Sequence, residues 1–281
     1  AEAAGLVLVP PEQRDPTRTT TYGVGQLIGE ALGSGAEQLV VGIGGSATTD
    51  GGTGMAEALG VRFIGADHPM TGGRLAQIKS VDRASLDARL LNVPVTVACD
   101  VTNPLTGPNG AAAIYGPQKG ATQQQVRLLE EGLVHLARCV EWVDAEAPGM
   151  GAAGGLGFGL VAFCGAELKR GIEMVLEAVA FEKRLRGCDL VITGEGCFDG
   201  QSLSGKATVG VAEAARSAGV PTLMLAGALE ADTSTVQKAG FESAHAICDG
   251  SVTAERAMAE AAVLLEELTA RVLAGRGGRG S

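Results

Sequence analysis

A glycine-rich turn between a predicted strand and a predicted helix constrains the fold of this chain most strongly. An apolar run ends at Val41, six glycines follow within Gly42–Gly54, and a helical segment begins at Met55. Open α/β sheets bind their ligands in the loops that follow the carboxyl ends of the strands. Because glycine has no side chain, the N–H groups of such a loop are accessible to an anion. The turn therefore predicts an α/β fold with an anion-binding loop.

Short apolar runs and helical patterns alternate along the rest of the chain. A stripe of apolar residues at helical spacing predicts a helix from Val126 to Val140, with Thr122 as its N-cap. Two further helices are predicted at Thr208–Ala218 and Thr253–Leu273. The predicted strands are Gln38–Ile43, Pro94–Cys99, Cys188–Thr193, Thr222–Ala226 and Ala244–Cys248.

The order of these elements predicts two α/β domains with a cleft between them. From Cys188 onward strands and helices alternate, which is typical of a parallel sheet with helices on its faces. We therefore expect a glycine-rich α/β domain at residues 1–175 and a Rossmann-like α/β domain at residues 176–281. The first strand of the second domain is expected upstream of Ala1. Most of the functional loops are expected to face the cleft.

The charge and the cysteine pattern argue against several classes of function. A formal net charge of −10 disfavours nucleic acid and anionic membranes as partners, although backbone N–H groups, lysines and a divalent cation can still bind a small anion. No apolar run is long enough to span a bilayer. The six cysteines and three histidines show no metal-binding or redox spacing. This pattern favours a cytoplasmic protein with reduced cysteines.

The first candidate site is the glycine-rich turn itself. The backbone of Gly44 and Gly45, the hydroxyl of Ser46 and the carboxylate of Asp50 suit a phosphate, a hydroxy acid or a magnesium ion. A G-x-G-x-x-A spacing that begins at Gly42 also matches a relaxed dinucleotide fingerprint, so an NAD-dependent hydroxy-acid dehydrogenase is an alternative. That match is weak because two glycines after Asp50 stand where the first helical turn would lie. A tight turn without a ligand is a further alternative.

The second candidate site follows the predicted strand that ends at Thr193. Here Glu195 and Asp199 precede Lys206. A carboxylate can bind Mg²⁺ or accept a hydroxyl proton, and a lysine can offset the charge of a phosphate. The segment imitates a P-loop, but Ala207 stands where that loop needs Ser or Thr. A solvated loop with surface charges is the alternative.

Two further segments carry candidate residues. Asp100 and Asn103 follow a predicted strand, and Lys119 lies in a Gly-Pro-Gln-Lys-Gly turn. These side chains are candidates for polar contacts with a substrate, although turn chemistry alone also favours Asp, Asn and Pro. The uncharged segment Pro148–Gly159 contains six glycines. It predicts a ligand-wrapping backbone, a flexible loop or a close-packed entry to a helix.

Taken in this order, the segments resemble the bacterial-type (class I) glycerate kinase family. The resemblance covers nearly the whole chain, so it is more specific than any single motif. It implies two α/β domains and a direct, Mg²⁺-dependent transfer of the γ-phosphate of ATP to a hydroxyl of D-glycerate, with 2-phosphoglycerate as the favoured product. The matching segments are Thr19–Gly23, Gly42–Gly54, Ala98–Leu105, Gly116–Gly120, Pro148–Gly157 and Thr193–Lys206.

The resemblance also implies roles for the candidate residues. It assigns Asp199 and Glu195 to Mg²⁺ or to general-base duty, and it adds Lys206 and Asp100 to the catalytic candidates. The expected partners are ATP and D-glycerate, with no nucleic acid and no membrane, and a homo-oligomer is left open. The residues assigned to substrate or phosphate binding are Gly44, Gly45, Ser46, Asp50, Asn103 and Lys119.

Two departures from the family pattern bear on activity. Cys197 stands where the family usually has an arginine, whose guanidinium can bind a carboxylate through two parallel hydrogen bonds. The sequence also lacks the Asp-Ser-Lys-type and Ala-Asp-Gly-Gly-Glu-Gly motifs that family members carry near their beginning. A catalytically impaired remnant of such a kinase is therefore a second alternative.

Overall fold

The chain folds into two compact α/β units, residues 1–170 and 171–281. The computed structural model describes residues 3–199 and 207–277. Strands and helices are interleaved in both units, and each contains a parallel sheet. The predicted α/β class is therefore confirmed, whereas the assignment of functional domains to residues 1–175 and 176–281 stays a prediction.

The first unit is built on a three-stranded parallel sheet and a separate antiparallel strand pair. Its strands are β1 (Leu39–Gly42), β2 (Arg62–Ile64), β3 (Ser80–Asp82), β4 (Val95–Ala98) and β5 (Glu167–Lys169). Its helices are α1 (Tyr22–Gly33), α2 (Thr53–Ala58), α3 (Ala111–Tyr115), α4 (Gln123–Cys139) and α5 (Ala152–Cys164). Short 3₁₀ helices lie at Leu6–Leu8, Pro11–Gln13, Gly72–Gln77, Ala88–Leu91 and Pro117–Lys119.

The parallel sheet has the order β1-β4-β5. Leu39 of β1 lies opposite Val95 of β4, and Thr96 of β4 lies opposite Glu167 of β5. The central strand β4 buries Val97 between its two neighbours. Because all three strands run in the same direction, the loops after β1 and β4 leave the sheet at the same edge.

Helix α4 forms where the apolar stripe predicted it. Thr122 caps its first turn, and its side chain and that of Gln125 form a reciprocal capping box. Leu129, Leu133 and Leu136 are fully buried in the core of the first unit. The helical spacing of these leucines, together with the cap, explains why this helix was predictable from local sequence.

Helix α5 begins with three residues in left-handed conformation, Ala153, Gly154 and Gly155. A Cβ on Gly155 would lie 2.8 Å from the Cα of Gly51. Of the three alternatives for Pro148–Gly159, the structure therefore shows the close-packed helix entry. The glycines are needed because the backbone of this entry presses against the backbone of the first glycine-rich loop.

The second unit is a run of alternating strands and helices. Its parallel sheet has the order β6-β7-β8, with Glu195 opposite Ala226. The parallel sheet predicted from Cys188 onward is thus confirmed. The strands are β6 (Val191–Phe198), β7 (Thr222–Leu229) and β8 (Ser243–Ala246). The helices are α6 (Gly171–Ala178), α7 (Phe181–Leu185), α8 (Ala207–Ser217), α9 (Thr233–Lys238), α10 (Ala254–Ala259) and α11 (Ala261–Gly277).

Several predicted elements of the second unit were wrong in extent, and β7, predicted to end at Ala226, continues to Leu229. Strand β6 continues five residues past Thr193, so Glu195 lies in a strand and not in a loop. Its glycines allow close pairing with β7, since a Cβ on Gly194 would lie 2.5 Å from the carbonyl oxygen of Leu225. The helix predicted at Thr253–Leu273 is divided at Glu260, where the backbone leaves helical geometry.

All six cysteines lie in the described residues and all are free thiols. Cys99 and Cys164 are buried, and burial raises the pKa of Cys164 to about 12. Within residues 3–199 and 207–277, no helix combines the length and the apolar character that crossing a bilayer requires.

Candidate functional site

A cavity of about 460 Å³ lies in the first unit, where the loops after β1 and β4 meet. The turn that follows α3 and the entry to α5 complete its wall. This is the sheet edge at which α/β proteins bind ligands. The cavity brings together five residues that the sequence proposed separately, namely Gly44, Gly45, Ser46, Asp100 and Lys119.

Lys119 is the buried cation of this cavity, with 2% of its surface exposed. It ends the short 3₁₀ helix at Pro117–Lys119, and Gly120 follows in left-handed conformation with φ +91°. Its Nζ donates hydrogen bonds to Ser46 Oγ at 2.9 Å and to the carbonyl oxygen of Thr48 at 2.5 Å. Burial lowers the pKa of Lys119 to about 8, although the negative charge of Asp50 acts in the opposite direction.

Asp50 lies fully buried beneath the glycine-rich loop. Its Oδ2 accepts hydrogen bonds from the N–H and the hydroxyl of Thr21, both at 2.8 Å, and from the N–H of Gly54 at 3.2 Å. Its Oδ1 accepts from the N–H of Gly52 at 3.1 Å. Burial raises the pKa of Asp50, and these hydrogen bonds lower it. The structure thus places Asp50 outside the cavity wall, where it joins the backbone at Thr21 to the backbone at the start of α2.

Asn103 lies behind the cavity and contacts it through Tyr115. The hydroxyl of Tyr115 donates to Asn103 Oδ1 at 2.6 Å, and Asn103 Nδ2 donates to the carbonyl oxygen of Asn109 at 2.8 Å. Tyr115 itself lines the cavity, and burial raises its pKa. Sequence reasoning missed Tyr115, although it is one of only two tyrosines and stands four residues before Lys119.

Leu6 is a second cavity residue that the sequence did not indicate. The N–H of Leu6 donates to the carbonyl oxygen of Gly45, and the N–H of Ala47 donates to that of Ala4, each at 2.8 Å. These bonds pair the segment 4–6 with the glycine-rich loop in antiparallel fashion. The segment therefore acts as a backbone strap across the loop.

The strap predicts a paired pattern of amide exchange. We expect the amide protons of Leu6 and Ala47 to show the same free energy of opening in hydrogen exchange. Both should exchange at least about tenfold more slowly than the amide proton of Val7, a residue that is 85% exposed. The reason is that detachment of the strap breaks both hydrogen bonds at once. Native-state hydrogen exchange read by NMR measures this. Protection of Ala47 alongside fast exchange of Leu6 would contradict the strap.

The buried charge of Lys119 predicts a pH-dependent stability. Below pH 8 the folded and unfolded chains both hold the Lys119 proton, and between pH 8 and the ordinary value of 10.5 only the unfolded chain does. The free energy of unfolding therefore rises over this interval, by about 3 kcal/mol from a shift of this size. Urea denaturation of wild type and Lys119→Met at pH 7.5 and pH 10 isolates the effect. We expect the wild type to gain about 2–3 kcal/mol relative to the variant; an unchanged difference would refute the buried charge.

The candidates of the second unit lie on and after β6. Glu195 lines a largely apolar cavity of about 760 Å³ formed by the sheet, α10 and α11. Its Oε1 accepts a hydrogen bond from the hydroxyl of Thr208 at 3.2 Å. Asp199 follows the last residue of β6 directly and is half-buried. Lys206 lies outside the described residues.

Within residues 3–199 and 207–277, no three His, Cys, Asp or Glu side chains lie close enough together to hold a metal ion. Of the two carboxylates proposed for Mg²⁺, Glu195 lies in the carboxyl-terminal half of β6 and Asp199 directly follows the strand. Carboxylates offer the oxygen atoms that Mg²⁺ prefers as ligands, and Mg²⁺ sites commonly use one or two of them besides phosphate and water.

Comparison with known proteins gives a consistent result over the whole chain. The model of the glycerate kinase family matches residues 1–275. A glycerate kinase of Bacillus subtilis (strain 168) is 49% identical over 283 residues, which cover 98% of this chain and 73% of that relative. A glycerate 2-kinase of Escherichia coli (strain K12) is 46% identical over 264 residues, covering 92% of this chain and 69% of the relative.

A solved structure shares the fold. A crystal structure from Salmonella typhimurium LT2, described as that of glycerate kinase 2, superposes with a TM-score of 0.78 at 44% sequence identity. The superposition covers 98% of this chain and 75% of that one. The arrangement of strands and helices described above is therefore that of a solved relative.

Proposed function

The chain belongs to the glycerate kinase family, and we propose that it transfers the γ-phosphate of ATP directly to a hydroxyl of D-glycerate. The observation that carries this proposal is the 46–49% identity to glycerate kinases over nearly the entire chain. The name of the Escherichia coli relative, glycerate 2-kinase, favours 2-phosphoglycerate as the product. The free cysteines and the net charge of −10 favour the cytoplasm and argue against nucleic acid as a partner.

Phosphoryl transfer depends on positioning and on charge neutralisation, and the residues of the first unit suit that task. We assign Gly44, Gly45 and Ser46 to the binding of an anionic group of the substrate, with Lys119 as their cation. Asp100 is a polar group at the same cavity and a candidate for proton transfer. Asn103 and Asp50 do not line the cavity. Asn103 acts by positioning Tyr115, and Asp50 acts by holding the backbone of the glycine-rich loop.

The residues of the second unit suit the nucleotide and its metal ion. Glu195 and Asp199 would hold Mg²⁺, and one of them is the candidate general base for the substrate hydroxyl. A bound Mg²⁺ offsets the negative charge of the phosphates during transfer. Lys206 is assigned to the phosphates. The half-buried position of Asp199 at the end of β6 supports a role at the ligand-binding edge of this sheet.

A coupled assay of ADP release with D-glycerate tests the activity. We expect turnover by the full chain, and ³¹P NMR of the product distinguishes 2- from 3-phosphoglycerate. No ADP release from a cooperatively folded chain would instead favour the catalytically impaired remnant. Asp199→Ala and Lys206→Ala should each lower kcat/KM by at least about 100-fold, a loss of about 3 kcal/mol of transition-state stabilisation.

Two exposed residues of the same unit give matched controls. Asp189 and Lys183 are exposed, so Asp189→Ala and Lys183→Ala should leave kcat/KM within about twofold of wild type. Wild-type kcat/KM in both Asp199→Ala and Lys206→Ala would remove these two residues from the catalytic list.

A further inference from the structure

We propose that the cavity of the first unit binds the carboxylate of the hydroxy acid, and that Lys119 and Ser46 are the groups that hold it. The identity of the hydroxy acid as D-glycerate rests on the proposed function. The assignment of the cavity to a carboxylate, and not to the phosphates of ATP, rests on the charge of its wall, on the burial of Lys119 and on the hydroxyl of Ser46.

The first observation is the charge of the cavity wall. Its lining contains one acidic side chain, Asp100, and one basic side chain, Lys119. A triphosphate brings several negative charges, and any that are left uncompensated in a partly buried site are strongly unfavourable. A single carboxylate brings one charge, which the buried ammonium can neutralise, because Asp100 is exposed and water screens its charge.

The second observation is that Lys119 is buried without an ion pair. Among the described residues, Nζ has two hydrogen-bond acceptors, both neutral, and no carboxylate oxygen lies within 4 Å of it. The nearby carboxylate of Asp50 already accepts four hydrogen bonds from other donors. Burying a charge is costly unless it is paired. A ligand carboxylate would supply the missing partner for the third N–H of the ammonium.

The third observation concerns Ser46, which contacts the ammonium and lines the same cavity. Its hydroxyl oxygen accepts from Lys119, so its own proton is available to donate to a ligand. The neighbouring backbone of Gly44 and Gly45 is exposed on the same wall. The ammonium of Lys119 and the hydroxyl of Ser46 can each donate a hydrogen bond to a carboxylate oxygen, and the exposed backbone of Gly44 and Gly45 lets the carboxylate approach.

The proposal makes binding depend on pH through Lys119. The titratable groups that face it are Asp50, Cys99, Asp100 and Tyr115. Burial raises the pKa of the Cys99 thiol and that of the Tyr115 hydroxyl, which opposes the formation of a negative charge on either group while Lys119 loses its proton. The affinity for a carboxylate should therefore be constant below pH 8 and fall as the pH rises beyond it, by up to about tenfold per unit.

Calorimetric titration with D-glycerate alone tests the proposal without turnover. We expect the dissociation constant of the wild type to rise at least tenfold between pH 7.0 and pH 9.5. Lys119→Met should bind at least 30-fold more weakly at pH 7.0 and should lose the pH dependence. The exposed Lys79 of the same unit provides the control, and Lys79→Met should behave as wild type. Urea denaturation establishes that each variant is folded.

The outcomes separate this proposal from the proposed function. If wild type binds L-lactate or tartronate through Lys119 but does not phosphorylate glycerate, the carboxylate site stands and the kinase assignment falls. If Lys119→Met binds D-glycerate as wild type does, the carboxylate site is wrong even when turnover is observed. It is also wrong if the variant raises the KM for ATP and leaves that for glycerate unchanged, or if none of these acids binds the wild type at pH 7.0.

Discussion

Gly154→Ala should destabilise the protein far more than Gly165→Ala, although Gly154 in the first turn of α5 and Gly165 directly after its last residue are both in left-handed conformation. Their φ angles are +72° and +62°, so the left-handed backbone should destabilise an alanine by a similar amount, about 1 kcal/mol, at either position. At Gly165 an added Cβ meets nothing within 4 Å. At Gly154 it would lie 1.9 Å from the carbonyl oxygen of Thr48, which cannot move aside as the end of a side chain can.

We expect an additional cost of about 3 kcal/mol for Gly154→Ala from this overlap. Denaturation in urea or guanidinium, with the two variants measured side by side, gives the difference directly. The displaced carbonyl of Thr48 also accepts a hydrogen bond from Lys119, so Gly154→Ala should weaken the binding of D-glycerate as well. Equal stability of the two variants would mean that α5 does not press against the loop in solution.

This contact illustrates why the site was predictable only in part. Gly44, Ser46, Asp100 and Lys119 were each marked by turn residues, and parallel strands bring the loops after β1 and β4 to one edge. Local sequence therefore indicated the loops that line this cavity. It could not indicate that the entry to α5 packs against them, because that contact joins segments about 100 residues apart.

The same distinction holds for the fold. Helix α4 was predictable because its cap and its buried leucines are encoded within one segment. Strand β6 was predicted too short because Gly194 and Gly196 favour a loop locally, whereas pairing with β7 extends the strand to Phe198. That extension places Glu195 on the sheet, beside the hydroxyl of Thr208.

Asp50 shows most clearly how burial changes the role expected of a polar residue. In sequence it was a candidate ligand for a substrate, and in the structure its two oxygens accept four hydrogen bonds from the protein. Asp50→Asn keeps the shape of the side chain but turns one acceptor into a donor. In the least costly orientation, the oxygen of the new amide stays at the position of Oδ2 and keeps its three donors. The new NH₂ group then lies at the position of Oδ1 and faces the N–H of Gly52, which has lost its acceptor.

We expect Asp50→Asn to lower the free energy of unfolding by about 3 kcal/mol, since hydrogen bonds to a charged group are strong and a buried N–H is left unpaired. The exposed Asp67 gives the control, and Asp67→Asn should cost less than about 0.5 kcal/mol. Urea denaturation at pH 7 measures both. A loss below about 1 kcal/mol in Asp50→Asn would show that this carboxyl is already protonated in the folded chain.

Asp50→Asn should also move the pH dependence of the cavity. The negative charge of Asp50 raises the pKa of Lys119, so its removal lowers that pKa below 8. The pH at which D-glycerate binding begins to weaken should then fall below that of the wild type, while the affinity at pH 6 changes less. A merely structural role would reduce affinity equally at every pH. The shift of the profile therefore distinguishes electrostatic support of Lys119 from mechanical support of the loop.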